Sequence, residues 1–158
     1  MGVGKGVIEN ENLIKLMDIH SKETRSFNMS RIKGKNTKPE ILVRKYLFSQ
    51  GLRYRLYSKI LPGSPDIVLP KYRTVIFING CFWHGHEGCK YFVIPKTRTE
   101  WWQNKININK ENDRKNNELL KDLKWNVITV WECSLRKEKR ESTLNDILNM
   151  IKCQIDNA

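Results

Sequence analysis

Val75-Ile76-Phe77-Ile78-Asn79-Gly80-Cys81-Phe82-Trp83-His84-Gly85-His86-Glu87-Gly88-Cys89 is the most informative stretch of the chain. Its first part is a continuous apolar run of strand length and predicts a buried strand over 74–79. Its second part packs two thiols, two imidazoles and two large aromatic rings between Gly80 and Cys89. Cys81, His86 and Cys89 have the spacing of a tight zinc turn. Zinc closes a structural site with four ligands of this type, and Cys133 supplies the fourth from far downstream. His84 is then spare, a candidate general acid or base near neutral pH. Spacing alone leaves an alternative open. Cys-x-x-His and Cys-x4-His both occur in tight turns, so His84 can take the place of His86 in the ligand count.

Outward from this stretch, the chain reads as a small mixed sheet flanked by helices. Asn36-Thr37-Lys38-Pro39-Glu40 has a capping side chain and then a proline, the signature of a helix start. That helix runs to about Gln50, with Ile41, Leu42, Tyr46 and Leu47 as its apolar face and Gly51 as its stop. Tyr54 to Tyr57 alternate as a strand. Leu61-Pro62-Gly63-Ser64-Pro65 turns the chain into a short buried strand opened by Asp66. Thr99 to about Leu123 predicts a long charged helix, and Asn126–Trp131 a fourth strand with Glu132-Cys133 at its end. Residues 142–155 predict a last amphipathic helix, on which Cys153 is a core or flank position.

The chain has 158 residues, suited to one domain with a real hydrophobic core. No apolar run approaches membrane-spanning length, and Glu9, Glu11 and Asp18 do not suit a secretion signal. A cytosolic protein is expected, whose four cysteines serve as metal ligands or thiols rather than disulfides. The net charge of +12 makes nucleic acid the default partner. Residues 1–20 read as a loose extension. Lys22, Arg25, Arg31, Lys33, Lys35 and Lys38 crowd a basic arm over 21–38, with at most one short helical turn.

Three acidic residues stand out. Asp66, at a strand end beside a loop, is placed to hold a cation; Mg²⁺ typically takes one or two protein carboxylates and leaves the rest of its shell to water and phosphate. Taken alone, Asp66 reads better as a turn cap. Glu40 suits the helix dipole in a first turn, and Asp113 suits an exposed salt bridge. Phe82 and Trp83 are either core residues or rings that stack on or wedge between bases. Trp102 adds a further ring, with one of the Trp101-Trp102 pair expected in the core.

These pieces, taken together and in order, resemble the very-short-patch-repair (Vsr) DNA mismatch endonucleases. The resemblance covers roughly residues 21–137. It runs through Thr24-Arg25-Ser26 with Asn28-Met29, Pro65-Asp66, Val75-Ile76-Phe77, Gly80-Cys81-Phe82-Trp83-His84, Cys89, Pro95-Lys96-Thr97-Arg98-Thr99-Glu100 with Trp102, Asp113-Arg114, and Val130-Trp131-Glu132-Cys133. It implies a single-domain α/β restriction-endonuclease-like fold over 21–158 with one structural zinc. It implies Mg²⁺-dependent nicking of one strand 5′ to the thymine of a T:G mismatch. By position, Asp66 would bind magnesium, His84 would be the catalytic histidine, and Glu40 and Asp113 would be supporting acidic groups. Cys81, His86, Cys89 and Cys133 would hold zinc. Phe82, Trp83 and Trp102 would wedge into DNA, and the arm with Arg25 and Arg31 would lie on or in a groove. Two departures stand out. Asn79 occupies the position of a second family histidine, and the turn before Cys89 is one residue longer than the histidine-rich version. The zinc ligands remain, so the site is expected to survive.

The resemblance further implies double-stranded DNA carrying a T:G mismatch as substrate and a cytosine-5 DNA methyltransferase as functional companion, because deamination of 5-methylcytosine creates that mismatch. Mismatch-repair proteins are possible further partners. A monomer is expected, cytoplasmic and on the nucleoid when acting. Two rival readings remain: a restriction-like endonuclease with a different target, and a zinc-stabilised DNA-binding module without cleavage.

Overall fold

The structure, a computed structural model, describes residues 21–32 and 34–156. The expected extension over 1–20 and Lys33 of the basic arm lie outside the described residues. The described chain divides into two compact units between Gly34 and Lys35.

In the first unit, helix α1 (Lys22–Ser30) takes up most of the basic arm. The reading of one short turn is corrected to nine residues. Ser21 caps the helix, its Oγ accepting the Thr24 N–H at 3.1 Å, with Glu23 in the favourable first turn. Arg25 lies within α1. Arg31 is its C-cap, with the guanidinium 5.4 Å from the centre of the Phe27 ring.

The second unit is built on a four-stranded mixed sheet in the order β1 (Arg55–Leu56), β2 (Ile67–Leu69), β3 (Thr74–Asn79), β4 (Asn126–Trp131). β1–β2 and β2–β3 are antiparallel. β3 and β4 are parallel in a register from Thr74↔Asn126 to Asn79↔Trp131. Parallel strands need a crossover, and α3 (Thr99–Asp122) lies within it. The other helices are α2 (Lys38–Ser49) and α4 (Arg140–Asp156).

Side-chain alternation explains why the central strands are apolar throughout. Ile67, Leu69, Ile76, Ile128 and Val130 pack with Val43 and Leu47 of α2 and Leu144, Ile147, Leu148 and Ile151 of α4. The intervening residues Val68 and Val75 pack with Leu120 of α3, alongside Phe77, Trp125 and Val127. A sheet covered on both faces needs no polar side, hence the unbroken apolar run over 75–78. Among the described residues, no helix is long and apolar enough to cross a membrane.

Local readings need three corrections. The buried face of α2 is Glu40, Val43, Arg44 and Leu47, while Ile41 is exposed. Two charged residues sit on that face because they neutralise each other. The first strand is only two residues long, since Tyr57 turns into the left-handed region at φ 48° and ends the pairing. Cys153 is exposed, a flank rather than a core position. Gly51 ends α2 as expected. At φ +79° it donates to the Phe48 carbonyl while Leu52 donates to the Leu47 carbonyl, the paired bonds of a Schellman stop.

Candidate functional site

β3 and β4 end side by side. Because Asn79 pairs with Trp131 in parallel, the chain emerges at Cys81 and Cys133 on the same edge of the sheet. The turn after β3 then returns His86 and Cys89 to them. The Cys81, His86, Cys89 and Cys133 ligand atoms all lie within 4.8 Å of one another, a set that can hold one metal ion. His86 Nδ1 is 3.5 Å from Cys133 Sγ, which identifies the ring nitrogen facing the cluster. The imidazole stacks on Trp131, ring centres 4.1 Å apart and planes inclined by 2°. Burial pushes the Cys81 thiol up to about 12, and the neighbouring Cys133 and Cys89 add to the rise. A thiol so placed ionises readily only against a cation, which suits a metal site.

His84 lies outside this cluster, and His86 lies within it. The Nδ1 of His84 is 2.6 Å from Asp113 Oδ2 on α3. An ionised carboxylate accepts the Nδ1–H and leaves Nε2 as the basic nitrogen of the ring. The face of α3 that carries Asp113 also grips the rest of the turn. Asn109 Nδ2 donates to the Trp83 carbonyl at 2.8 Å, and Lys110 pairs with Glu87. A Cβ on Gly85 would lie 2.8 Å from Ile106 Cγ2 and 2.9 Å from Lys110 Cδ. With φ at +61° as well, Gly85 is what lets the turn lie this close to α3.

Asp66 lies one residue before β2, its Oδ2 accepting the Ile78 N–H of β3 at 2.7 Å. Desolvation raises its carboxyl from 3.8 to about 6, against the lowering effect of that hydrogen bond. The charge of Glu40 raises it further, while Arg44 and His84 lower it. These four groups are therefore electrostatic neighbours, although they come from α2, the start of β2 and the turn after β3. Glu40 is 3% exposed and ion-paired with Arg44 at 2.8 Å.

Phe82, Trp83 and Trp102 form one cluster of rings, with centres 5.2, 5.2 and 5.9 Å apart. All three are half-buried rather than core residues. Trp101 is exposed and meets Trp102 edge-on at 4.7 Å, so neither tryptophan of that pair is in the core. Trp102 follows the Arg98 cap of α3, which is what brings it to the turn. Sequence reading missed Arg44, Tyr57 and Trp131. The Glu40-to-Arg44 spacing of four on a helix was a usable signal for the first. Nothing local pointed to the other two, which depend on the tertiary packing.

The family model described as DNA mismatch endonuclease Vsr matches residues 17–90. The chain is 48% identical over 143 residues to the type II nicking enzyme V.NmeAIP of Neisseria meningitidis serogroup A, covering 90% of this chain and 99% of that protein. It is 46% identical over 125 residues to the DNA mismatch endonuclease Vsr of Escherichia coli K12, covering 79% and 80% of the two chains. It is 45% identical over 120 residues to the type II nicking enzyme V.XorIIP of Xanthomonas oryzae pv. oryzae, covering 76% and 88%.

Two outcomes follow from the geometry. Cys133→Ser removes the ligand that joins the turn to β4, so bound metal, read by elemental analysis, should fall well below one per chain. The melting temperature should fall with it by about 10 °C, because metal binding and folding are coupled. Asp66 gives a pH signature. Between the unfolded value of 3.8 and the folded value of about 6, the folded protein keeps a proton that the unfolded chain has lost. Stability therefore falls as pH rises through that window and stays reduced above it. Asp66→Asn carries no such cost. Without added divalent cations it should be more stable than the parent by on the order of 2–3 kcal/mol at pH 8. The two proteins should converge near pH 4 in urea titrations.

Proposed function

The chain belongs to the Vsr family of DNA mismatch endonucleases, and we propose that it nicks one strand of duplex DNA 5′ to the thymine of a T:G mismatch, using Mg²⁺. The observation that carries this reading is the grouping of a desolvated Asp66 with Glu40 and the His84–Asp113 pair at one edge of the sheet. A DNA-binding module without cleavage has no use for an ionisable cluster that costs stability.

The residues present suit the cation. Asp66 is a half-buried carboxylate whose ionisation is disfavoured, and Ile78 occupies only Oδ2. Asp66 would hold Mg²⁺, which when bound supplies positive charge to the scissile phosphate and the leaving oxygen. Glu40 has both oxygens committed to protein donors, so it supports the site through its charge rather than as a direct ligand. His84, held in one tautomer by Asp113, takes a proton from the attacking water at Nε2. The set Cys81, His86, Cys89 and Cys133 has the ligand types of a structural zinc site. Zinc there would fix the turn that carries His84, Phe82 and Trp83.

The half-buried rings supply the mismatch preference. A mismatched step stacks less well, so wedging Phe82, Trp83 and Trp102 into it costs less than opening a matched step. The net charge of +12 and the α1 unit with Arg25 and Arg31 suit contact with the phosphate backbone. The functional companion would be a cytosine-5 DNA methyltransferase, whose product deaminates to the mismatch. Mismatch-repair proteins are further partners, and the setting is the cytoplasm and nucleoid.

Nicking of T:G and matched duplexes in Mg²⁺ tests this. The parent should nick the T:G duplex selectively. Asp66→Ala should lose on the order of 10³-fold in rate while duplex affinity stays within about threefold. Cleavage of matched sites at equal rate would point to a restriction-like nuclease. Binding without cleavage by the parent would point to the binding module. Trp83→Ala should cut the T:G preference about tenfold with little change in affinity for matched duplex. A lowered melting temperature with an unchanged preference would defeat the wedge.

A further inference from the structure

Glu40 is a buried carboxylate with more partners than a helix start requires. Thr37 is the N-cap of α2 and Glu40 its third residue, the pattern of a capping box. The usual reciprocal bonds are not formed. The Thr37 hydroxyl donates to Glu40 Oε1 at 3.0 Å, and Glu40 Oε2 accepts from the Asn36 N–H at 3.0 Å. Oε2 also takes Arg44 Nη2 at 2.8 Å and the Tyr57 hydroxyl at 2.6 Å. A carboxylate 3% exposed is tolerated only when fully paired. Even so, Thr37, Asn36 and Arg44 already pair it, and Tyr57 comes from another element.

Tyr57 reaches both carboxylate-bearing segments. Its backbone N–H donates to the Asp66 carbonyl at 3.4 Å, and its hydroxyl reaches Glu40. The hydroxyl accepts from the Asn36 N–H at 2.6 Å and from Arg44 Nη2; of the two acceptors within reach of its one proton, Glu40 Oε2 at 2.6 Å is nearer than Asn36 Oδ1 at 3.2 Å. Both Tyr57 (φ 48°) and Asn36 (φ 55°) are left-handed. For tyrosine that conformation costs on the order of 1–2 kcal/mol. The strain persists where these hydrogen bonds hold the residue. Arg44 is equally committed, with Nη1 on Asn36 Oδ1 at 2.8 Å and its guanidinium 5.1 Å from the centre of the Tyr57 ring.

We propose that Tyr57, with Arg44 as its second clamp, is a positioning residue that holds the Glu40 carboxylate in place beside Asp66. The proposal rests on the nuclease reading above. Glu40 supports the site through its charge, and a charge acts on Asp66 according to where it is held. Without the hydroxyl, Glu40 loses its direct hydrogen bond to the segment that pairs with Asp66, and only the packing of Arg44 on the ring at position 57 still spans the two. The cation that Asp66 attracts is then held less tightly.

The test is a double-mutant cycle of Tyr57→Phe and Glu40→Gln with two readouts. One is single-turnover nicking of a T:G duplex across a Mg²⁺ series. The other is Mn²⁺ binding to the protein alone, followed by water-proton relaxation. Tyr57→Phe should slow nicking about tenfold at low Mg²⁺ and shift half-saturation to higher Mg²⁺, leaving duplex affinity unchanged. In the Glu40→Gln background, the same change should cost less than about twofold, since Tyr57 acts through Glu40. The Mn²⁺ affinities should show the same non-additivity. Equal losses in both backgrounds, or no loss in either readout, would overturn the proposal. A parent that binds Mn²⁺ but does not nick T:G duplex would defeat the function reading, and the Mn²⁺ cycle would still decide the role of Tyr57. Arg44→Lys keeps the charge but loses the fork. It should reproduce the pattern and stands in if Tyr57→Phe does not fold.

Discussion

The parallel pairing of β3 with β4 is the constraint on which the site depends. With Asn79 opposite Trp131, the residues two further along each strand are Cys81 and Cys133. A shift of that register by one residue would separate the two thiols and send the β4 side chains to the wrong layer. The metal cluster, the stack of His86 on Trp131 and the path of the turn all follow from that one alignment. The alignment is in turn held by two apolar layers, because each residue of β3 and β4 must find its place against α2 and α4 or against α3.

The turn between Gly80 and Cys89 is braced from two sides. On one side its His86 and Cys89 gather with Cys81 and Cys133 at the end of β4, a set that can hold one metal ion. On the other, Ile106, Asn109, Lys110 and Asp113 follow the helical spacing of α3 and meet it at Gly85, Trp83, Glu87 and His84. The role proposed for His84 needs the ring to keep one orientation, and a short loop does not provide that by itself. Here the ring is oriented by Asp113, and the backbone carrying it is fixed at Trp83 and Gly85.

The acidic side of the site is arranged differently. Asp66 is half-buried, has a raised pKa and accepts the Ile78 N–H at one oxygen. Glu40 is saturated with donors and sits deeper. Two carboxylates in one region thus have very different surroundings, and the proposed function gives them separate tasks. Arg44, ion-paired with Glu40 and lowering the Asp66 pKa, offsets their mutual repulsion.

Much of this was legible in the chain alone. The strand over 74–79 was marked by its continuous apolar run, the long helix by its charge, the last helix by its amphipathic pattern, and Gly51 by its place after an amphipathic run. The thiol and imidazole types marked a metal site, and the charge marked a nucleic-acid partner. Which histidine faces the thiols was not legible, because both spacings are allowed and only the fold of the turn places His86 among them and His84 against Asp113. Neither was the nine-residue α1, whose cap is a common Ser. The pairing of Glu40 with Tyr57 was hidden for another reason. The two are 17 residues apart, on a helix and after a two-residue strand, and they meet only because Tyr57 takes a left-handed backbone. Residue type and spacing determine what chemistry is available. The distances that turn it into a site come from strand register, helix docking and local strain, which are settled only when distant segments pack together.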